Sequence, residues 1–321
     1  VLRAARSLIP HFAAAAAATA VHLLMAQGSN VLRQSVTAQG LLQRAPKIAF
    51  VPEFYLLKFL WPARLTIEYS LQGFREHPLP LAAATLALGI AFVAIVVRGR
   101  RARSLGWLLA LGYVAALIPV MNLLPTHPAV ADRYAQLALV WLVPLLLVPV
   151  VVRLPRAAAV AGVAVLIPML AALSHRQVEA WRDEPTLFAH ATSVNPEATH
   201  SLGNLGSVLW ARGREAEALE VFARLARLRP LDFRLDYYRG VRALREGELA
   251  EAELWLGSAA RKQGLDVYRA HMRLAELYVE REQYDRARAA LGRARELIER
   301  APSPGDDRRQ IELSLLLLRD K

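Results

Sequence analysis

Four long apolar stretches without charged residues constrain this chain more than any other feature of its sequence. They occupy residues 80–97, 105–124, 134–152 and 157–173. Each is close to the roughly 20 residues that an α-helix needs to cross a bilayer. Since only four to nine residues separate consecutive stretches, the pattern predicts transmembrane helices rather than the buried helices of a soluble core.

A fifth apolar stretch, residues 8–26, lies near the start of the chain. Its alternative interpretation is a cleaved signal peptide, because Ala18-Thr19-Ala20 has the small-x-small form of a cleavage site. The chain opens on Val1, which suggests a fragment or a start at a non-standard codon. Residues 1–174 are thus predicted to form an all-α bundle of about five spans.

Residues 48–62 are apolar and aromatic, but they contain Glu53, Lys58 and two prolines. A full crossing would bury both charges, at about 2.5–3.5 kcal/mol each near mid-bilayer. A helix in the membrane interface would hide its aromatic face and keep the charges in water. The sequence favours this interfacial helix, and a further span is the alternative.

Short basic loops predict the orientation of the bundle. Residues 98–103 carry four arginines, and Arg153 and Arg156 lie in a second loop. Both loops fall on one side if the spans alternate, and the positive-inside rule makes that side cytoplasmic. Arg3 and Arg6 fall there too if residues 27–79 stay outside. The chain after the last span is then predicted to be extracytoplasmic.

The charge balance changes near residue 174. Residues 1–174 hold 15 Lys/Arg and four acids, whereas residues 175–321 hold 25 and 24. Nearly all of the net charge of +12 therefore lies between apolar stretches, where it indicates membrane topology rather than nucleic-acid binding. No nucleic-acid partner, metal site or cofactor is predicted. The absence of cysteine excludes disulfides and zinc–thiolate sites.

A period of 34 residues runs through the second part of the chain. Its small and large apolar positions match the tetratricopeptide (TPR) signature of paired helices, in units 199–232, 233–266 and 268–301. Gly206, Gly240 and Ala275 are expected where the two helices of a unit cross closely. A half-repeat at 178–196 and a capping helix at 307–319 complete a predicted α-solenoid over residues 175–321.

TPR arrays bind peptides in a groove lined by the first helix of each unit. The positions expected in this groove are His200, Trp210, Arg234, Tyr237, Arg269, Met272, Arg273 and Glu276. Arg269 and Arg273 resemble half of the clamp with which some TPR domains bind a peptide C-terminus, and ordinary solvated arginines are the alternative. A protein or peptide partner is therefore predicted.

Several local strings carry a resemblance to a known family. They are Phe54-Tyr55-Leu56-Leu57-Lys58-Phe59-Leu60-Trp61-Pro62 followed by Tyr69, Asn122-Leu123-Leu124-Pro125 leading into Ala131-Asp132-Arg133-Tyr134, and Trp181-Arg182-Asp183-Glu184 with Asn195-Pro196. Their order resembles that of bacterial membrane proteins related to the transmembrane-and-TPR O-mannosyltransferases of animals. Such proteins join a multi-spanning glycosyltransferase body of the GT-C type to extracytoplasmic TPRs.

The resemblance implies a site for a membrane lipid, a polyprenyl-phosphate sugar, at Arg133 with Asp132 and Tyr134 beside it. An arginine at the mouth of a span can bind a phosphate bidentately. The alternative is an interfacial arginine that anchors the span and pairs with Asp132.

The chain resembles only the C-terminal half of that family and has no match to the acidic motif of its first extracytoplasmic loop, so no catalytic residue is predicted. The leading hypothesis is a TPR protein of the bacterial cytoplasmic membrane that does not catalyse alone. One alternative is the C-terminal half of a lipid-phosphate-sugar-dependent protein O-glycosyltransferase. The other is an envelope assembly scaffold whose spans serve only as an anchor.

Overall fold

The computed structural model describes residues 50–60, 62, 64–69, 103–120, 131–264, 266–299 and 306–318. The predicted spans at 8–26 and 80–97 lie outside these residues. The described residues form helices and no strand, apart from one isolated bridge between Asp232 and Gln263, which confirms the all-α prediction. Contacts along the chain divide it into two compact units, Val1–Ala198 and Thr199–Lys321.

The first unit contains five described helices. They are α1 (50–60), α2 (Arg103–Leu117, continued by a 3-10 turn at Ile118–Val120), α3 (Ala135–Val151, preceded by a 3-10 turn at Asp132–Tyr134), α4 (Arg156–Ala180) and α5 (Glu184–Val194).

Two of these helices are long and apolar enough to cross a membrane. They are the 20 residues of Asp132–Val151 and the 25 residues of Arg156–Ala180, which confirms the helices predicted at 134–152 and 157–173 and extends the second one to Ala180. The apolar part of α2, Leu108–Leu117, is shorter than a crossing needs. The span predicted at 105–124 therefore remains a prediction.

Helix α4 exposes its whole apolar surface in the described part of the chain. Every residue from 160 to 176 is exposed, including Val165 at 70% and Ile167 at 62%. An exposed apolar surface of this size is unfavourable in water. Pro168 within α4, like Pro144 and Pro149 within α3, is tolerated in helices that cross membranes.

Helices α1, α2 and α3 share one core. Tyr55, Leu117 and Leu142 have at most 1% of their surface exposed. Gly112 lets α2 approach α3, because a Cβ there would lie 2.3 Å from the ring of Trp141.

The expectation that both charges of α1 stay in water is wrong for Glu53, which is 7% exposed. The Lys58 ammonium lies 4.8 Å from the ring centre of Tyr69 and 5.8 Å from that of Phe54. The reason is that other parts of the unit pack against α1 on more than one side. Val51 and Tyr55 lie in the core shared with α2 and α3, and the ring centre of Tyr69 lies 4.8 Å from that of Phe54. Whether α1 lies in the membrane interface stays a prediction.

The second unit is a row of helix hairpins followed by a last helix. Its helices are α6 (Thr199–Ala211), α7 (Glu215–Leu228), α8 (Arg234–Arg245), α9 (Leu249–Ala260), α10 (Tyr268–Glu280), α11 (Tyr284–Ile298) and α12 (Asp307–Leu317). Three hairpins thus begin at residues 199, 234 and 268, close to the spacing that the sequence predicts.

Small residues allow the paired helices to approach closely, as the sequence predicts. A Cβ at Gly206 would lie 2.5 Å from the ring of Phe222, and one at Gly240 would lie 2.6 Å from the side chain of Leu256. Phe222 and Leu256 are completely buried. The turn within each of these hairpins contains a glycine with φ of +77°, Gly213 and Gly247, a conformation that favours glycine.

The predicted half-repeat follows directly after α4, the second helix that is long and apolar enough to cross a membrane. Helix α4 runs unbroken to Ala180, and α5 begins after a short turn with a capping box between Asp183 and Thr186. The boundary between the two compact units lies after residue 198, so α4 and α5 both belong to the first unit. At the other end, α12 buries Ile311 where the sequence predicts a capping helix.

Candidate functional site

A polar cluster lies at the start of α3, where the sequence places the lipid-phosphate site. The Tyr69 hydroxyl donates a hydrogen bond of 2.6 Å to Asp132 Oδ1 and accepts one of 3.1 Å from the Thr66 amide. Burial raises the pKa of Tyr69, and its hydrogen bond to Asp132 raises it further. The phenol therefore stays protonated and remains a donor to Asp132.

A second tyrosine fixes the residue before this cluster. The Tyr55 hydroxyl donates to the Ala131 carbonyl at 2.8 Å and accepts from the Ala131 amide at 3.3 Å. The Tyr113 hydroxyl donates to the Pro52 carbonyl at 2.5 Å and so joins α2 to α1. The residue before α3 is thus held directly by Tyr55 of α1, which Tyr113 in turn joins to α2.

Arg133 extends away from Asp132 rather than pairing with it. Its guanidinium carbon lies 4.9 Å from the ring centre of Tyr134, and the side chain is exposed. The predicted alternative, an Asp132–Arg133 ion pair, is therefore wrong. Tyr69 occupies Oδ1, and Oδ2 is buried without a hydrogen-bond partner in the described part of the chain. The charge of Arg133 consequently remains available to a ligand.

A further cation, Lys58, lies near Asp132, and Arg64 lies near Lys58. Burial lowers the pKa of Lys58, while the negative charge of Asp132 opposes this shift and the charge of Arg64 adds to it. Arg64 is exposed and has φ of +53°, a conformation that costs a non-glycine residue about 1 kcal/mol. Lys58 and the adjacent Arg133 thus place positive charge close to the carboxylate of Asp132.

The segment 64–69, which supplies Thr66 and Tyr69, is also bound from its other side. The Leu65 carbonyl lies 3.0 Å from His190 Nε2 and accepts a hydrogen bond of 3.4 Å from Gln177. The Asn195 amide donates to the Glu68 carbonyl at 3.4 Å. One short segment therefore connects the start of α3 to α4 and α5.

An apolar groove of about 510 Å³ runs between this segment and the end of α4. Its lining residues include Leu65, Leu170, Leu173, Trp181 and Arg182. Its volume is within the range of ligand sites. The sequence does not indicate this groove, because its two sides, residues 62–65 and residues 170–182, are more than 100 positions apart in the chain.

In the second unit, the predicted groove positions lie on the first helices α6, α8 and α10. His200 and Glu276 are exposed, and Met272 is half-buried. The ring of Trp210 lies 4.7 Å from that of Tyr238 and 5.2 Å from the guanidinium of Arg245. Much of Trp210 is therefore used in packing rather than free for a ligand.

The arginines of these helices are already paired within the unit. Arg234 binds Asp232 at 2.7 Å, and Arg273 binds Glu276 at 2.7 Å. Arg269 lies 3.4 Å from Asp307 on α12. Because both arginines of the predicted clamp have acidic partners, neither is ready to bind a carboxylate without losing an ion pair.

Comparison with known proteins gives a local likeness. No family model matches the chain. A stretch of 65 residues is 45% identical to "Protein O-mannosyl-transferase Tmtc2" of Drosophila melanogaster, and one of 57 residues is 47% identical to "Protein O-mannosyl-transferase Tmtc1" of the same species. The matches cover 19% and 18% of this chain but only 7% and 6% of the relatives.

Proposed function

We propose that the chain is a membrane protein of the TMTC-like glycosyltransferase group that binds a polyprenyl-phosphate at the start of α3. The observation that carries this proposal is the exposed Arg133, whose charge is not neutralised by Asp132. Lys58 adds positive charge near Asp132, the neighbour of Arg133 in the chain. A phosphate headgroup bound there would satisfy the guanidinium bidentately, and the apolar groove along α4 offers a place for part of the lipid chain.

The second unit would then be a TPR array that binds an extracytoplasmic polypeptide. Its helix hairpins, closely packed glycines and 34-residue period support the TPR assignment. The local likeness to proteins whose printed name is O-mannosyl-transferase supports a link to lipid-linked sugars. Orientation with this unit outside the cytoplasm rests on the arginines of the loops.

The proposal is tested by lipid binding in nanodiscs. We expect the wild-type chain to bind fluorescent polyprenyl-phosphate, and Arg133→Ala to weaken the affinity about tenfold or more, because a charge-assisted bidentate contact is lost. Arg133→Lys should recover only part of it. Arg153→Ala, at the exposed end of α3, is the matched control. Equal binding by all four proteins would refute the lipid-phosphate site.

A catalytic role is the second candidate function. Asp132 Oδ2 is buried and without a partner in the described residues, while Tyr69 fixes the other oxygen. A carboxylate in this state could accept the proton of an acceptor hydroxyl. If so, Asp132→Asn would abolish sugar transfer from polyprenyl-phosphate sugar to a peptide while leaving lipid binding intact. Undetectable transfer by the wild-type chain would favour the non-catalytic proposal.

A further inference from the structure

The groove between α10 and α12 lies at the end of the second unit. It encloses about 550 Å³ and has an apolar floor that includes Met272, Val279, Leu291 and Leu317. Val279 is 38% exposed and Leu317 is 77% exposed. Large apolar side chains are thus presented in a concave site of ligand size.

The walls of the groove are fixed at both ends. At one end the Tyr268 hydroxyl donates to Asp307 Oδ2 at 2.7 Å. At the other end Arg288 donates to the Leu318 carbonyl at 2.8 Å, and Leu318 itself is buried. A groove held in this way is formed before a ligand arrives, so little ordering entropy is lost on binding.

The charge of the rim is acidic. Glu276 and Glu280 line the groove, and no cation does among the described residues. Glu276 is neutralised by Arg273 at 2.7 Å. Glu280 is exposed and makes no ion pair with any residue that the structure describes. One uncompensated negative charge therefore lies beside an apolar floor.

We infer that this groove binds a basic amphipathic segment of a partner polypeptide, with a large apolar side chain on the floor and a Lys or Arg beside Glu280. This inference rests on the proposed peptide-binding role of the second unit and names the ligand class. It differs from the carboxylate clamp that Arg269 and Arg273 suggest in the sequence, since those arginines are occupied by Asp307 and Glu276.

The test uses the full chain in nanodiscs and two fluorescein-labelled peptides. Both peptides carry the same leucines at helical spacing, and they differ only in having Lys or Glu at the flanking positions. We expect the Lys peptide to bind at least about tenfold more tightly than the Glu peptide, because like charges repel at the rim. Val279→Asn should weaken Lys-peptide binding about tenfold or more, because it places a polar group on the apolar floor without adding charge.

Charge reversal separates this groove from other surfaces. Glu280→Lys should weaken the Lys peptide about fivefold and strengthen the Glu peptide. Glu220→Lys makes the same change at an exposed position of α7 and should leave both affinities unchanged. Since Val279 and Glu280 are exposed, neither substitution disturbs the core.

Different results would contradict the peptide-binding role of the second unit and the preference of the groove for a basic ligand. Failure of both peptides, and of a random peptide library, would contradict the peptide-binding role of the unit altogether. Preference for the Glu peptide, or an affinity that Glu280→Lys does not change, would overturn only the basic-ligand inference. Self-association of the chain that Val279→Asn abolishes, without peptide binding, would assign the groove to a second copy and also overturn the basic-ligand inference.

Discussion

Helices α4 and α9 both contain many apolar side chains, but these side chains are exposed in α4 and mostly buried or half-buried in α9. Along α4, valines, leucines and isoleucines are exposed around the whole helix. Along α9, Ala252, Leu256 and Ala259 are completely buried, and Leu254 is an isolated exposed apolar residue. The apolar content of a helix therefore does not by itself determine whether the helix is buried or exposed. The distribution of apolar residues around the helix determines this.

The largest expected effect comes from placing one charge on each helix. Val165→Asp should disfavour membrane insertion of α4 by about 3 kcal/mol, because Val165 lies near the middle of the predicted span. Leu254→Asp should change stability by no more than about 0.5 kcal/mol, because its side chain already faces solvent. Translation into microsomes with glycosylation reporters measures the first change, and chemical unfolding measures the second.

The two substitutions are matched in exposure, at 70% and 63%. If Val165→Asp inserted as well as the wild type, α4 would not be surrounded by lipid. The contrast between the two helices would then need another explanation.

A smaller effect is expected where the hairpins depend on close approach. Gly240→Ala should destabilise the second unit by about 1–3 kcal/mol, because the new Cβ would lie 2.6 Å from Leu256 Cγ and 3.0 Å from its backbone nitrogen. Gly292→Ala, in α11, meets nothing within 4 Å and should stabilise by up to about 1 kcal/mol. Thermal unfolding followed by circular dichroism should move in opposite directions for the two variants.

The smallest effect concerns acid stability of the contact between the second and third hairpins. Glu253 on α9 binds Arg281 and Arg286 at 2.5 and 2.7 Å. Burial opposes its ionisation, but hydrogen bonds and charges from these arginines outweigh burial and hold the pKa of Glu253 below 4.5. The contribution of ionised Glu253 to the free energy of unfolding is therefore complete above about pH 4.5. It is lost as the pH falls through the lowered pKa that Glu253 has in the folded protein.

We expect the ionised Glu253 to contribute less than about 1 kcal/mol to the free energy of unfolding. Glu253→Gln should make the unfolding free energy less dependent on pH between 6 and 3. Glu220→Gln, at an exposed position of α7, is the control and should keep the wild-type profile. An unchanged profile in Glu253→Gln would show that this ion pair does not hold the hairpins together.

The hairpins were predictable because their determinants are local and periodic. Gly206 and Gly240 have the close neighbours that the repeat pattern requires, and Gly213 and Gly247 have the left-handed backbone expected in the turns. The ion pair of Arg273 with Glu276 was also within reach of the sequence, since residues three apart on a helix are neighbours. The pair of Arg269 with Asp307 could not be predicted from the sequence, because it depends on how α12 packs against α10.

The polar cluster could be predicted only in part. The sequence shows Arg133 at the start of a predicted span, but the surroundings of its neighbour Asp132 depend on Tyr69, Thr66 and His190. Tyr69 lies 63 residues from Asp132, and His190 lies 125 residues from Leu65. No periodic pattern connects such distant positions, so an adjacent ion pair with Asp132 was the natural but incorrect expectation.

The length of α4 has a consequence for the membranes that suit this chain. Its apolar stretch, residues 157–173, extends about 26 Å at 1.5 Å per residue, whereas a typical hydrocarbon core is about 30 Å thick. Arg156 at one end and His175 with Arg176 at the other resist being drawn inward. Hydrophobic mismatch then favours bilayers of short or unsaturated acyl chains. Bilayer thickness would thereby influence which membranes accommodate this protein best.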